Sequence, residues 1–321
     1  GEYAVTREGG RGIGLAVAPR GTMTITTTES DVAALRVVAE MGAAGRRVWP
    51  DDEIPLVDAV IETIGRTPSS HEATTTSDAI RRSLETSRGT GPVATEIVID
   101  TSAFFHPGSG RKIGLGSSAV TTLLLTTALM RIGASPTAAD RDDLDHDEVI
   151  SRAIAAHRLA HHGRGSGYDI VAGARGGATT FIGGAVPTYR RNDLLALLRD
   201  GALSLRRKTG RAPVASADAV GRFDERVPRG SDIEGELIAR NNATVGALET
   251  AVGARRILRA VAEAGALGVE IGALIGVPAG LPFSAGHAED GWVAKATGAG
   301  DEQILFVASQ ERRRPIPEGT V

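Results

Sequence analysis

The sequence predicts a mixed α and β protein of two domains, and three observations carry that prediction. At 321 residues the chain exceeds what one hydrophobic core usually organises, since single cores stop growing at roughly 250 to 300 residues. Runs rich in β-branched residues, Met23-Thr24-Ile25-Thr26-Thr27-Thr28 and Thr95-Glu96-Ile97-Val98-Ile99-Asp100, suit a pleated, half-buried surface and read as strands. Between them, Pro55 to Ile64 and Ser77 to Leu84 space their apolar residues at helical intervals.

The elements follow in chain order. Residues Arg11 to Thr28 alternate in character and end in the first strand run. Ser117 to Ile132 is a mostly apolar helix that opens on two serines and stops at Gly133, with Pro136 beyond it, as start and stop signals require. A second helix covers Asp147 to His161. After the glycine-rich turn Gly163 to Gly167, a short helix begins at Tyr168 and leads to Gly176-Gly177 and a strand, Ala178 to Ile182. Pro187 to Asn192 mixes Pro, Tyr, Arg and Asn and is the candidate domain junction, dividing 1–187 from 188–321. Beyond it, Asp193-Leu194-Leu195 starts a helix, Ala202 to Leu205 suits a strand, and Asp232 to Ala266 is strongly helical. Gly291 to Lys295 and Ile304 to Ala308 read as strands flanking the last glycine turn, and the charged tail Glu311 to Pro315 reads as solvated.

Composition narrows the function classes. With 41% hydrophobic and 23% charged residues and a formal net charge of -3, the chain lacks the basic balance a nucleic-acid partner demands. Cysteine is absent, which excludes disulfides and thiolate metal sites and fits a reducing compartment. No apolar run approaches the ~20 residues of a membrane span, and Gly1-Glu2-Tyr3-Ala4-Val5 lacks the basic and then apolar regions of a secretion signal. The expectation is a soluble cytoplasmic protein with no nucleic-acid or membrane partner. The 41 glycines are interleaved with aliphatics, and aromatics make up only 3%. That combination predicts turns, close backbone approaches and a core of small aliphatic side chains.

Two segments carry chemistry. Gly110-Arg111-Lys112-Ile113-Gly114-Leu115-Gly116-Ser117-Ser118-Ala119 places glycines and serines directly before a helix. Such a turn brings backbone N–H groups and the positive end of the helix dipole to an anion. No Lys-Ser or Lys-Thr follows the glycines, so it is not a Walker A loop. Taken alone, the same residues also read as a tight turn with a serine cap. In the second segment, Gly165-Ser166-Gly167 presents Asp169 in the first turn of a helix, where a carboxylate can orient a substrate and accept its proton or simply complement the dipole. His157, His161 and His162 suggest a metal group, but two helical histidines without a third ligand at known spacing read better as a polar helix end. Arg164 matches a phosphate in donor geometry and equally suits the surface.

Together these residues resemble the GHMP kinase superfamily, and the phosphomevalonate kinases most of all. Lys112-x-Gly114-Leu115-Gly116-Ser117-Ser118-Ala119 resembles the second family motif. The stretch from His157 through Ala160 to Gly165-Ser166-Gly167-Tyr168-Asp169 resembles the phosphomevalonate kinase pattern, and Lys295-Ala296-Thr297-Gly298-Ala299-Gly300 resembles the third motif. Gly1-Glu2-Tyr3 looks like the tail of the first motif, whose preceding strand and lysine are not among these residues, so the lysine's role falls elsewhere or to residues outside this sequence. Mevalonate kinases carry a Mg²⁺-ligating glutamate on the helix where this chain has His157 and Arg158, a departure that favours phosphomevalonate kinase. Asp301-Glu302-Gln303 replaces the further glycines usual in the third motif. Thr209-Gly210-Arg211 through Ala215-Ser216 is similar to a family segment only loosely.

The resemblance implies an α+β protein with an N-terminal domain similar to ribosomal protein S5 domain 2 and a ferredoxin-like C-terminal domain that closes a cleft over the substrate. It implies an ATP- and Mg²⁺-dependent kinase, a monomer or homodimer, that converts 5-phosphomevalonate to 5-diphosphomevalonate. Asp169 would be the acid-base residue and Lys112 a phosphate contact. Gly114, Leu115, Gly116, Ser117, Ser118 and Ala119 would wrap the ATP phosphates, with Ser118 also on the metal side. Glu2, Tyr3, Arg164, Ser166, Gly167, Thr297, Gly298, Ala299 and Gly300 would meet the substrate. Mevalonate kinase, another GHMP small-molecule kinase and a non-catalytic protein of the same fold that binds a nucleotide or metabolite are the rival readings.

Overall fold

A computed structural model describes residues 3–32, 34–65, 93–133, 144–194, 196, 203–209, 216–281, 285–297 and 303–310. The chain forms two compact units, one assembled from residues 1–16 and 164–321 and the other from the intervening 17–163. The junction expected at residue 187 falls inside the first of these, here the terminal unit. Its Pro187–Asn192 segment is mostly strand.

The terminal unit begins with β1 (Arg11–Leu15), after which the chain enters the inserted unit. That unit contains β2 (Thr22–Glu29), β3 (Ala34–Glu40), β4 (Arg46–Trp49), α1 (Pro55–Gly65), β5 (Val93–Asp100), α2 (Ser117–Gly133) and α3 (His146–Ala160). Its sheet runs β2-β5-β3-β4. β5 pairs antiparallel with β2, Thr22 opposite Asp100, and parallel with β3, Val37 opposite Ile97. Alternation decides the buried face: Val93, Thr95, Ile97 and Ile99 of β5 point inward, while Thr22, Thr24 and Thr26 of β2 stay exposed. The inward face packs Val57, Val60 and Ile61 of α1, Leu125, Ala128 and Leu129 of α2 and Ala156 of α3 into one core. α3 begins at an Asp145 cap that accepts from the Asp147 N–H at 2.9 Å. The segment expected to be helical at Ser77–Leu84 lies outside the described residues.

Back in the terminal unit come α4 (Tyr168–Arg175), β6 (Ala178–Ile182), β7 (Thr188–Asn192), β8 (Leu203–Thr209), α5 (Ser216–Arg226), α6 (Asp232–Thr250), α7 (Ala254–Ile275), β9 (Trp292–Thr297) and β10 (Gln303–Ser309). They build two antiparallel sheets, β1-β6-β7 and β8-β10-β9. The long helix expected from Asp232 to Ala266 is two helices, because Gly253 sits at φ +87° between them. α7 packs Ile257, Leu258 and Val261 against Val293 and Val307 of the second sheet.

Two polar devices tie the first residues into this unit. Arg7 is 1% exposed. Its guanidinium pairs with Asp224, lies 2.7 Å from Glu234, donates to the Val227 carbonyl at 3.0 Å and stacks 4.8 Å over the Phe223 ring. Asn241 and Asn242 of α6 grip the β1 backbone: Asn241 donates to the Arg11 carbonyl at 2.7 Å, and Asn242 accepts from the Arg11 N–H at 2.9 Å. At the end of α6, Glu249 pairs with Arg11 and accepts from Thr180 at 2.6 Å and Arg190 at 2.7 Å, one donor from each strand of that sheet.

Removing one partner of a buried ion pair leaves the others desolvated and unpaired, at a cost of about 3–5 kcal/mol. Asp224 is partly exposed, so Arg7→Met is expected at the lower end, about 3 kcal/mol, as a fall in the urea midpoint followed by circular dichroism. An unchanged midpoint would show that the pairing contributes nothing net.

Candidate active site

Within the inserted unit, residues 105–112 form a tight loop: Phe105 and Lys112 are bridged, the Gly110 N–H donates to the His106 carbonyl at 2.9 Å, and Ile113 donates to Phe104 at 2.9 Å. Gly110 has φ +63°, and a Cβ there would stand 2.8 Å from the Ala43 carbonyl. A glycine is thus required for the β3–β4 turn to lie against this loop. Gly114 and Gly116 follow at φ +79° and +74°, left-handed conformations that cost other L residues about 1–2 kcal/mol each. The Gly116 carbonyl accepts from the Val120 N–H at 3.0 Å, which leaves the N–H groups of Ser117, Ser118 and Ala119 in the first turn of α2 with no acceptor in the helix. Leu115 lies between the two glycines, half-buried. The expected turn and helix start are therefore both present.

The hydroxyls of this helix start are not equivalent. Thr121 and Thr122 donate back to the carbonyls of Ser117 and Ser118 at 3.0 and 2.8 Å. Ser117 is 9% exposed, while Ser118 is more open and its Oγ lies 3.4 Å from His157 Nε2 on α3. His157 is 7% exposed, and its ring centroid is 4.4 Å from that of His161. The histidines expected to form a polar helix end therefore include a buried ring against the start of α2. Among the described residues no group of three or more His, Asp or Glu could hold a metal ion. Lys112 is exposed, with no carboxylate partner among the described residues.

The terminal unit holds the second group. Gly165 and Gly167 have φ +138° and +83°, and Gly167 is the left-handed N-cap of α4. Ser166 is 6% exposed. Asp169 follows in the first turn, where one carboxylate oxygen accepts from the Ile170 N–H at 3.0 Å; its other oxygen has no partner among the described residues. Arg164 is exposed and likewise without an ion-pair partner there. A Cβ on Gly221 of α5 would lie 3.2 Å from the Arg164 guanidinium, so Gly221 is the helix position that leaves it room, a role invisible without coordinates. Arg175, by contrast, stacks 5.4 Å over Tyr189.

The remaining expected substrate residues divide into two that are described and four that are not. Tyr3 is 7% exposed, with its ring 5.2 Å from Phe223 in a core cluster with Leu237, Leu267 and Ile271, a packing position rather than a binding one. Thr297 closes β9, opposite Gln303. Glu2 and the turn residues Gly298, Ala299 and Gly300 lie outside the described residues, as does the 210–215 stretch.

The donor set suits a polyphosphate: first-turn N–H groups, two left-handed glycines that let the backbone come close, and one unpaired ammonium. For Mg²⁺, which takes oxygen ligands and is usually bound through one or two carboxylates plus substrate phosphates, the turn itself supplies only the Ser118 hydroxyl.

No known family profile and no curated protein matches the sequence. Solved structures do. The Lin0012 protein of Listeria innocua superposes with a TM-score of 0.66 at 18% identity, over 97% of this chain and 88% of that one. The phosphomevalonate kinase of Streptococcus pneumoniae, in complex with phosphomevalonate and AMPPNP, gives 0.62 at 16% identity over 97% and 89%. The mevalonate kinase of Methanococcus jannaschii gives 0.57 at 14% over 97% and 88%. At these identities the shared property is the fold: the chain folds like these kinase structures. No helix among the described residues is long and apolar enough to cross a membrane.

Gly114→Ala forces a side chain into a left-handed position of the phosphate turn. It is expected to weaken MgATP binding about tenfold or more, the equivalent of about 1.4 kcal/mol, with the melting temperature changed by only a few degrees. Titration calorimetry on the folded variant reads this directly, and unchanged affinity would remove the turn from the nucleotide site.

Proposed function

We propose that this protein is an ATP-dependent small-molecule kinase that phosphorylates 5-phosphomevalonate to 5-diphosphomevalonate. The observation that carries the kinase reading is the turn 110–119, where Gly114 and Gly116 adopt left-handed conformations directly before the free N–H groups of α2. The acceptor rests on the motif around Asp169, on Arg164 near it in sequence, which has no ion-pair partner among the described residues, and on the fold shared with a structure that holds phosphomevalonate.

Phosphoryl transfer asks mainly for positioning and charge stabilisation. The N–H groups of Ser117, Ser118 and Ala119 take phosphate oxygens as acceptors, and the α2 dipole favours their charge. Lys112 adds a full positive charge where negative charge grows as the bond to the leaving β-phosphate oxygen breaks. Bound with the nucleotide and touching Ser118, Mg²⁺ would neutralise further phosphate charge. Asp169, with one oxygen held by the Ile170 N–H, keeps the other for the acceptor: it orients the attacking phosphate oxygen and takes any proton that oxygen carries. Arg164 offers a planar pair of donors to the acceptor's phosphate.

The test is ADP release from the full chain with MgATP, comparing 5-phosphomevalonate with mevalonate, alongside Asp169→Asn. Turnover of 5-phosphomevalonate alone is expected, with kcat falling about 10²- to 10⁴-fold in the variant and ATP affinity retained. Turnover of mevalonate instead would replace the acceptor, and ATP binding without turnover of either would support the non-catalytic or another-acceptor reading.

A further inference from the structure

The kinase mechanism leaves one enclosed polar side chain near the phosphate turn unused. His157, on α3, is 7% exposed, and its Nε2 faces Ser118 Oγ at 3.4 Å across 39 residues of chain. Its Nδ1 is buried with no hydrogen-bond partner among the described residues. The neighbouring His161 ring, 4.4 Å away and tilted 59°, limits how the imidazole can turn.

The unpartnered Nδ1 decides the tautomer. A neutral imidazole carries its proton on one nitrogen. With the proton on Nδ1, the ring would bury an orphaned N–H; with the proton on Nε2, the orphan is only a lone pair. Orphaned buried N–H groups are the rarer defect, so Nε2–H points at Ser118 and the serine oxygen accepts it. A hydroxyl that accepts one hydrogen bond keeps its own proton and one lone pair to offer elsewhere. The 3.4 Å separation is long for such a bond, as is common at catalytic sites before the ligand binds. The neighbouring hydroxyls of Thr121 and Thr122 are already committed to helix carbonyls.

We infer that His157 is a positioning residue of the nucleotide site: its Nε2–H fixes the Ser118 hydroxyl so that its proton and remaining lone pair face the bound nucleotide's phosphates and their cation. This rests on the reading of 110–119 as the phosphate turn.

A double-mutant cycle on the full chain tests it, with MgATP affinity measured by calorimetry and melting temperature as the check on folding. Ser118→Ala and His157→Phe should each weaken MgATP about five- to twentyfold, and the double variant should be no weaker than Ser118→Ala, because His157 acts only through that hydroxyl. His157→Gln carries an N–H donor near the place of Nε2 and should stay within about threefold of the parent, whereas His157→Asn, whose donor lies nearer Nδ1, should behave like the phenylalanine variant. The Gln and Asn pair decides the matter if the phenylalanine variant does not fold. Additive losses, or equal affinity in the Gln and Asn variants, would overturn the role of His157 while leaving the phosphate turn intact. Full affinity in Ser118→Ala would instead overturn the phosphate-turn reading beneath it.

Discussion

Arg7 is the interaction on which the terminal unit depends. A guanidinium cannot be buried without partners, and it finds them more than 200 residues on, in Asp224, Glu234 and the Val227 carbonyl. Around it the backbone is pressed close: a Cβ on Gly10 would stand 1.8 Å from the Ala4 carbonyl, and one on Gly183 would stand 2.2 Å from that of Val5. These contacts bring β1 beside β6, and the asparagines of α6 then occupy the backbone groups of Arg11. With β1 and β6 paired, Gly14 leaves only 3.0 Å between its would-be Cβ and Ala172 of α4, so α4 and its Asp169 are seated by the same closure.

Much of the fold was legible locally. β2 and β5 are strongly β-branched, α2 carries both its start and its stop signals, and Ala178–Ile182 follows a double glycine. The misses share a cause. β3 and β4 mix Ala, Arg and Glu with Val, and pairing across the sheet, β3 with β5 and β4 with β3, not propensity, makes them strands. The mix of Pro, Tyr, Arg and Asn over 187–192 suggested a junction, yet most of it is the edge strand β7, with the proline just before it, where no ladder donor is needed. The stretch read as strongly helical over 232–266 is helical, and Gly253 at positive φ divides it in two. Arg7 carries no local signal at all, since a lone arginine in a polar stretch reads as surface.

The site divides the same way. The 110–119 turn and the Gly-Ser-Gly-Tyr-Asp segment are contiguous, so the residues that shape each are neighbours in sequence and their local geometry can be read from spacing. The contact of His157 with Ser118 and the space that Gly221 leaves for Arg164 join distant segments, and only packing reveals them. Tyr3 shows the converse error. It lies inside a recognisable motif, yet its environment is a core of Phe223, Leu267 and Ile271.

The insertion of 17–163 between the two halves of one unit has a consequence for biosynthesis. β1 leaves the ribosome well before β6 and α6, which pair with it and grip its backbone, and the whole inserted unit is translated in between, over roughly 10 to 30 s at ordinary elongation rates. Over that interval the inserted unit has every segment of its own core, whereas Phe223 for Tyr3, Asp224 and Glu234 for Arg7, and β6 for β1 are still to come. The terminal unit is therefore the half whose core closes later along the chain, after the inserted unit has all of its own segments.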